Sequence, residues 1–146
     1  MRRALRTSLL TAALVLVAAG CSGKEADVPR PEGAADLSEA IIDTAGAGRP
    51  LALADATDFA WDEVALFHQG TTVEEIERVV GDTGLDGKRF TDPTDLFVFR
   101  DGGQVVRLLV TYPDVFTGDY GVLVDDSAVV APDPSRSGYV RLAGAG

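Results

Sequence analysis

The chain has 146 residues, with 23 acidic and 13 basic side chains and a formal net charge of −10. This length fits one domain. The acidic balance argues against binding to nucleic acid, which requires a basic face. Cys21 is the only cysteine, so no disulfide can form within the chain.

The first 21 residues have the composition of an export signal. Arg2, Arg3 and Arg6 precede an apolar run at residues 9–19, and small residues lead from there to Cys21. A helix of that run would be about 16 Å long, whereas the hydrocarbon core of a bilayer is about 30 Å thick. The length therefore favours a cleaved signal over a permanent transmembrane helix.

This N-terminal pattern resembles the signal peptide of a bacterial lipoprotein. The resemblance implies cleavage between Gly20 and Cys21, and a diacylglyceryl group with palmitate-type chains on the Cys21 sulfur. It also implies an anchor on the extracytoplasmic face of the cell membrane or envelope. Two or three acyl chains hold a protein stably, because each buried CH₂ contributes about 0.8 kcal/mol. The alternatives are an ordinary secretory signal that leaves a free thiol, an uncleaved anchor, or a cytosolic protein.

Three segments are predicted along the chain: a signal peptide at residues 1–20, a tether at residues 21–35 and a domain at residues 36–146. The tether contains prolines, glycines and charges with few apolar residues, a composition typical of flexible linkers. Loss of the signal arginines would leave ten basic residues against 23 acidic ones. This charge disfavours broad contact with an anionic membrane surface.

Two short helices are predicted in the domain. In the first, at residues 36–45, Asp36 is the expected N-cap and Glu39 completes a capping box. In the second, Thr72 is the expected N-cap, with Glu75 at the matching position. Glycines follow both apolar stripes and are expected to end the helices.

The remaining apolar runs predict strands. They lie at residues 63–68, 96–99, 105–112, 121–124, 128–131 and 139–142. Asp101-Gly102-Gly103 between two of these runs is a strong hairpin signal. Helices this short need a packing partner. The sequence therefore predicts an α+β fold, with two short helices packed in two layers on an antiparallel sheet of four or five strands.

Two family resemblances follow from these motifs. The segment from Phe59 to Phe67, with the helix and hairpin after it, resembles a group of uncharacterised small bacterial proteins with the pattern F-x-W-D-x-V-x-x-F. The segment Gly70 to Gly81 is similar to a helix motif of the SmpA/OmlA-like outer-membrane assembly lipoproteins. Their fold of two helices on a sheet recurs in secreted β-lactamase inhibitor proteins. The second resemblance implies a protein-binding module.

The sequence offers few residues for catalysis. His68 is the only histidine, and no serine lies in a Gly-x-Ser-x-Gly elbow. The set of one histidine and one cysteine does not fit an ordinary zinc site. We interpret the acidic segments at residues 82–87 and at Asp125-Asp126 as solvated turns. No catalytic residue, metal site or cofactor is predicted.

Two segments are candidate contact surfaces. Trp61 and Asp62 fit either a buried corner with a hydrogen-bonded carboxylate or a recognition surface. Tyr112, Phe116 and Tyr120 flank a loop rich in polar residues, where exposed aromatic side chains would contact a partner.

The sequence thus favours a lipid-anchored extracytoplasmic module that binds or assembles an envelope protein or another ligand of unknown identity. One alternative is a carboxylate-dependent hydrolase, which predicts a pocket with convergent acids and shifted pKa values. Another is an inhibitor or immunity-type protein, which predicts a rigid concave sheet face lined with aromatic side chains.

Overall fold

The computed structural model describes residues 29–144. The predicted signal, the Gly20–Cys21 cleavage site and most of the predicted tether lie outside these residues. Within them, no helix is both long enough and apolar enough to cross a bilayer. In chain order, the elements are β1 (Pro31–Gly33), α1 (Ala35–Ala47), β2 (Leu51–Ala52), a 3₁₀ turn (Leu53–Asp55), β3 (Glu63–Phe67), α2 (Val73–Val80), β4 (Asp95–Asp101), β5 (Gln104–Thr111), β6 (Val124–Asp125), β7 (Val129–Pro132) and β8 (Val140–Ala143).

The strands form two sheets. The larger sheet has the order β1-β5-β4-β3-β6, and the smaller has the order β2-β7-β8. All neighbours are antiparallel except β1 and β5, which are parallel. The predicted α+β class with two helices is confirmed, although the strands divide between two sheets. Because β1 lies within the predicted tether, the folded domain begins by Pro31 rather than at residue 36.

The central hairpin forms as the sequence predicts. Asp101 pairs with Gln104 across the two-residue loop Gly102-Gly103, and both glycines have positive φ, at 57° and 82°. These angles suit the turns that match the twist of paired strands. One irregularity lies close to the turn, where the β4–β5 register shifts between Phe99 and Arg100.

Both faces of the larger sheet are buried. On one face, α2 and Phe90 pack over Phe67 and neighbouring strand residues. On the other face, α1 and the smaller sheet pack over Phe97 and Phe99. The domain therefore has a layer on each side of the sheet instead of the two layers predicted. Burial on both sides explains the continuous apolar run in β4, where alternation would be expected for a half-exposed strand.

The helices begin in different ways. Thr72 caps α2 with the predicted capping box, since its side chain accepts from the Glu75 N–H and the Glu75 side chain accepts from the Thr72 N–H. The predicted Asp36 cap of α1 is wrong. That helix begins at Ala35 after an Ala34 N-cap without a side-chain hydrogen bond, and it continues through Gly46 to an end at Gly48.

Candidate functional site

Trp61 lies at a corner of the core. Its Nε1–H donates to the Thr57 hydroxyl at 2.9 Å, and its ring packs edge-on against Phe99 with 5.2 Å between centroids. The side chain is half-buried. This arrangement fits the first interpretation, in which the indole fills a corner and its N–H has a partner.

Asp62 holds the β4–β5 turn. Its backbone N–H donates to the Arg100 carbonyl at 2.8 Å. Its carboxylate accepts from the Gly102 N–H at 2.9 Å. The Trp61-Asp62 pair therefore has structural partners on both residues.

The second candidate surface divides into a buried part and an exposed part. Phe116 was predicted to be exposed, but only 6% of it is accessible and it packs edge-on against Phe97 at 5.6 Å. The Val140 N–H donates to the Val115 carbonyl and the Thr117 N–H donates to the Val140 carbonyl, both at 2.9 Å, and these bonds hold this part of the loop against the smaller sheet. Its placement on a contact surface was therefore wrong.

Tyr112 is exposed, as predicted, with 59% of the residue accessible. Its backbone N–H donates to Ser38 of α1 at 3.1 Å. The Tyr112 hydroxyl occupies the space that a side chain on Gly33 would need. The ring therefore covers β1 while its other side faces solvent.

Tyr120 forms one wall of a cleft at the end of β3. Its ring lies 4.9 Å from the ring of His68, and its hydroxyl donates to the Phe116 carbonyl at 3.3 Å. The cleft has a volume of about 420 Å³ and is called the Tyr120 cleft below. Its lining includes Phe67, His68, Thr71, Glu75, Arg78, Val79 and Tyr120.

Polar groups surround the apolar floor of this cleft. Glu75 accepts from the Thr72 N–H at 3.0 Å and from the Thr72 hydroxyl at 2.7 Å, and these bonds lower its pKa. Arg78 pairs with Glu74 at 3.0 Å. The Thr71 hydroxyl lies 3.4 Å from Nδ1 of His68. The cleft thus combines apolar and aromatic walls with a few fixed polar groups, as small-ligand sites do.

Asp95 is the titratable group that the sequence interpretation missed. It is the first residue of β4, only 4% of it is accessible, and its Oδ2 has no hydrogen-bond partner among the described residues. Burial raises its pKa to about 7, with a further contribution from the charge of Asp114, while the Tyr120 hydroxyl acts in the opposite direction. Burial and the two carboxylates also raise the pKa of Tyr120.

The sequence of β4 does indicate that Asp95 is buried, because side chains alternate between the two faces of a strand. Side chains two residues apart lie on the same face of a strand, so Asp95 shares its face with the buried Phe97 and Phe99. Chemically, Asp95 can hold a proton near neutral pH, but in this conformation it is too deeply buried to touch a bound molecule.

The other acidic segments behave as turns. Asp82 accepts from the Gly84 N–H at 3.0 Å, and Asp125 accepts from the Ser127 N–H at 3.1 Å. Bonds from Ser127 lower the pKa of Asp125. Within residues 29–144, no group of three or more His, Cys, Asp or Glu side chains is placed to hold a metal ion.

Comparisons with known proteins give no match: no family model, curated protein or solved structure is significantly similar to this chain. Both family resemblances described above therefore stay predictions.

Proposed function

We propose that this protein is a lipid-anchored extracytoplasmic binding module, and that the Tyr120 cleft receives an apolar or aromatic group of its ligand or partner. The observation that carries the proposal is the His68–Tyr120 ring pair, tilted by 49° and 4.9 Å apart, beside an apolar floor. A volume of about 420 Å³ lies within the range of roughly 300–1,000 Å³ typical of small-ligand pockets.

The start of β1 limits how far the anchored domain can move. Cys21 precedes Pro31 by ten residues, and an extended chain spans at most about 3.3–3.6 Å per residue. The domain would therefore stay within about 35 Å of the lipid attachment point. The segment between Cys21 and β1 is shorter than the predicted tether at residues 21–35, because β1 belongs to the sheet.

The anchor is tested by mass spectrometry of the native protein. We expect a mature chain that begins at Cys21 and carries the mass of the lipid, and we expect Cys21→Ser to release the protein from membranes. A chain that begins at another residue, or unchanged membrane retention of the variant, would remove the anchored part of the proposal.

The cleft is tested with anilinonaphthalenesulfonate, an anionic dye whose aromatic body binds apolar sites. Val79→Gln places a polar group in the cleft, and we expect it to weaken dye binding by about tenfold, which corresponds to about 1.4 kcal/mol. Ile42→Gln is the matched control because Ile42 is an exposed aliphatic residue on α1, with 54% accessible. Equal binding by the Val79 variant and the wild type would contradict the assignment of the cleft.

A partner in the envelope is tested by photo-crosslinking in intact cells. A crosslinking residue at position 78 stands at the rim of the cleft, and one at position 42 serves as the control on α1. We expect an adduct that forms from position 78 alone and is lost on Val79→Gln. Adducts of equal yield from both positions would indicate contact without use of the cleft.

A carboxylate-dependent hydrolase is the second candidate, and the raised pKa of Asp95 beside Asp114 favours it. It requires a conformation in which Asp95 reaches the substrate. A panel of chromogenic esters and glycosides tests it, with the expectation that Asp95→Asn abolishes any activity found. Equal rates for the wild type and Asp95→Asn would remove this candidate.

The inhibitor hypothesis lacks comparable support, because both faces of the larger sheet are covered.

A further inference from the structure

We propose that a groove between the start of α1 and the segment at residues 55–59 binds a basic peptide segment of a partner protein, with aliphatic side chains between its cationic ones. The inference concerns a second surface and goes beyond the proposed function, because the groove shares no lining residue with the Tyr120 cleft. We call it the acidic groove. Its lining includes Glu32, Asp36, Leu37, Asp55, Asp58 and Phe59.

Hydrogen bonds hold the walls of the acidic groove in place. On the side of α1, the Ala34 N–H donates to the Val110 carbonyl of β5 at 2.9 Å. On the side of residues 55–59, the Thr57 hydroxyl donates to the Leu53 carbonyl at 3.0 Å. The groove has a volume of about 830 Å³. A partner would therefore meet a preformed surface, which lowers the entropic cost of binding.

The floor of the acidic groove is apolar. Leu37 and Leu109 line it from below, and both are buried members of the core. Phe59 is half-buried, and its ring packs edge-on against the buried Phe99 with 5.1 Å between centroids. An aliphatic side chain that covers this floor would remove apolar surface from water, which favours binding.

The charge of the acidic groove determines which partner fits. Carboxylates line it at positions 32, 36, 55 and 58, and Arg107 is the only basic side chain among the described residues of the lining. Glu32 already pairs with Arg107 at 2.9 Å. The other three carboxylates take part in no ion pair within residues 29–144. Three uncompensated negative charges around an apolar floor favour a cationic ligand that also carries apolar groups.

Arg107 shows how the acidic groove accommodates a guanidinium group. Its Cζ lies 5.3 Å from the centroid of the Phe59 ring, within the range of a cation–π interaction, while its Nη1 contacts the Glu32 carboxylate. An aromatic face and a carboxylate are the two contacts that suit arginine. Asp58 is exposed and lines the same groove as Phe59, so it offers a carboxylate to an arginine of the partner.

Charge also distinguishes the partner from other occupants. The segment at residues 21–28 contains Lys24 together with Glu25 and Asp27, so it does not complement the groove. A second copy of a chain with net charge −10 would be repelled. The first turn of α1 has no side-chain cap, so its N–H groups can donate to the carbonyl groups of a peptide, which a metal ion or a polyamine lacks. The groove therefore suits a basic segment of a different protein.

An NMR titration of the full-length protein, isolated from host membranes in a non-ionic detergent, tests the groove. The probe is an acetylated and amidated pentapeptide of alternating arginine and leucine with arginine at both ends, and in the control peptide serine replaces leucine. We expect the leucine peptide to shift the amide signals of residues 32–40 and 55–59, and the serine peptide to bind at least about tenfold more weakly. Shifts spread over the whole surface, or equal affinities of the two peptides, would overturn the proposal.

Paired substitutions test the charge of the acidic groove. Asp55→Asn combined with Asp58→Asn removes two unpaired charges and should weaken binding of the leucine peptide by about tenfold. Asp86→Asn combined with Asp126→Asn changes the net charge equally at exposed positions outside the groove, and its affinity should stay within about twofold of the wild type. Equal affinities of the two double variants would overturn the proposal.

Two further variants keep the test decisive. If the groove double variant does not fold, Asp36→Asn replaces it and should weaken binding by about threefold, and an unchanged affinity would overturn the proposal. Val79→Gln alters the Tyr120 cleft and should bind the leucine peptide like the wild type. Loss of peptide binding in Val79→Gln would place the peptide in the Tyr120 cleft and overturn the assignment. Because the two surfaces have separate variants and probes, failure of the dye experiment does not decide the outcome for the groove.

Discussion

Asp95→Asn should change how the stability of the whole domain depends on pH. Asparagine has nearly the same shape as aspartic acid and cannot ionise, so the variant removes the titration and leaves the packing of β4 in place. The buried amide adds its own cost, but that cost does not vary with pH. The informative quantity is therefore the difference in unfolding free energy between two pH values.

The magnitude follows from the raised pKa. An acid with a higher pKa in the folded state binds more protons when folded, so stability falls as pH rises from the unfolded pKa to the folded pKa. The change from an ordinary 3.8 to about 7 corresponds to about 4 kcal/mol in full, at about 1.4 kcal/mol per tenfold change in proton affinity. Between pH 5 and pH 8, the unfolding free energy should fall by at most about 2.5 kcal/mol. Residual solvent access to the carboxyl lowers this loss, so the expected range is about 1 to 2.5 kcal/mol.

Urea unfolding followed by the fluorescence of Trp61 measures this difference, because Trp61 is the only tryptophan and packs on the buried Phe99. Relative to Asp95→Asn, the wild type should lose stability from pH 5 to pH 8, whereas Asp126→Asn should follow the wild type. Parallel stability curves for the wild type and Asp95→Asn would refute the reasoning, because the carboxyl would then ionise without cost in the folded state.

Three further substitutions test local features by the same urea titration. Thr72→Ala should cost about 1 kcal/mol through loss of the α2 cap, and an unchanged midpoint would mean that the cap contributes nothing. Asp62→Ala leaves the Gly102 N–H without its carboxylate acceptor and should lower the stability by about 1 kcal/mol. An unchanged stability would mean that water replaces this hydrogen bond fully. Gly33→Ala should cost less than about 1 kcal/mol, because only the end of the exposed Tyr112 side chain has to move. Tyr112→Ala should remove this cost in the double variant, and additive effects would exclude the contact.

Local signals in the sequence predicted the features that local interactions determine. Thr72 and Glu75 are three residues apart and satisfy each other's backbone donors, so the start of α2 needs no information from the rest of the chain. The Gly102-Gly103 turn likewise sets its own geometry and fixes the pairing of β4 with β5.

Features that depend on distant parts of the chain were not predictable in this way. Pro31–Gly33 has the composition of a linker and becomes a strand because the open edge of β5 accepts it. Ala34, the N-cap of α1, has no capping side chain, and the helix forms because its apolar face packs on the smaller sheet. Phe116 is buried by the same sheet, whose position the sequence pattern does not specify.

The candidate site combines both situations in one loop. Tyr120 was identified because aromatic residues in a polar loop suggest a contact surface, and in the structure it lines a cleft together with His68 and Val79. Asp95 was missed because a carboxylate at the start of a strand usually faces solvent, whereas this one shares the buried face of β4 with Phe97. Phe116 packs edge-on against Phe97 on that same face. The burial of Phe116 and Asp95 therefore depends on packing between distant segments, which local sequence patterns do not specify.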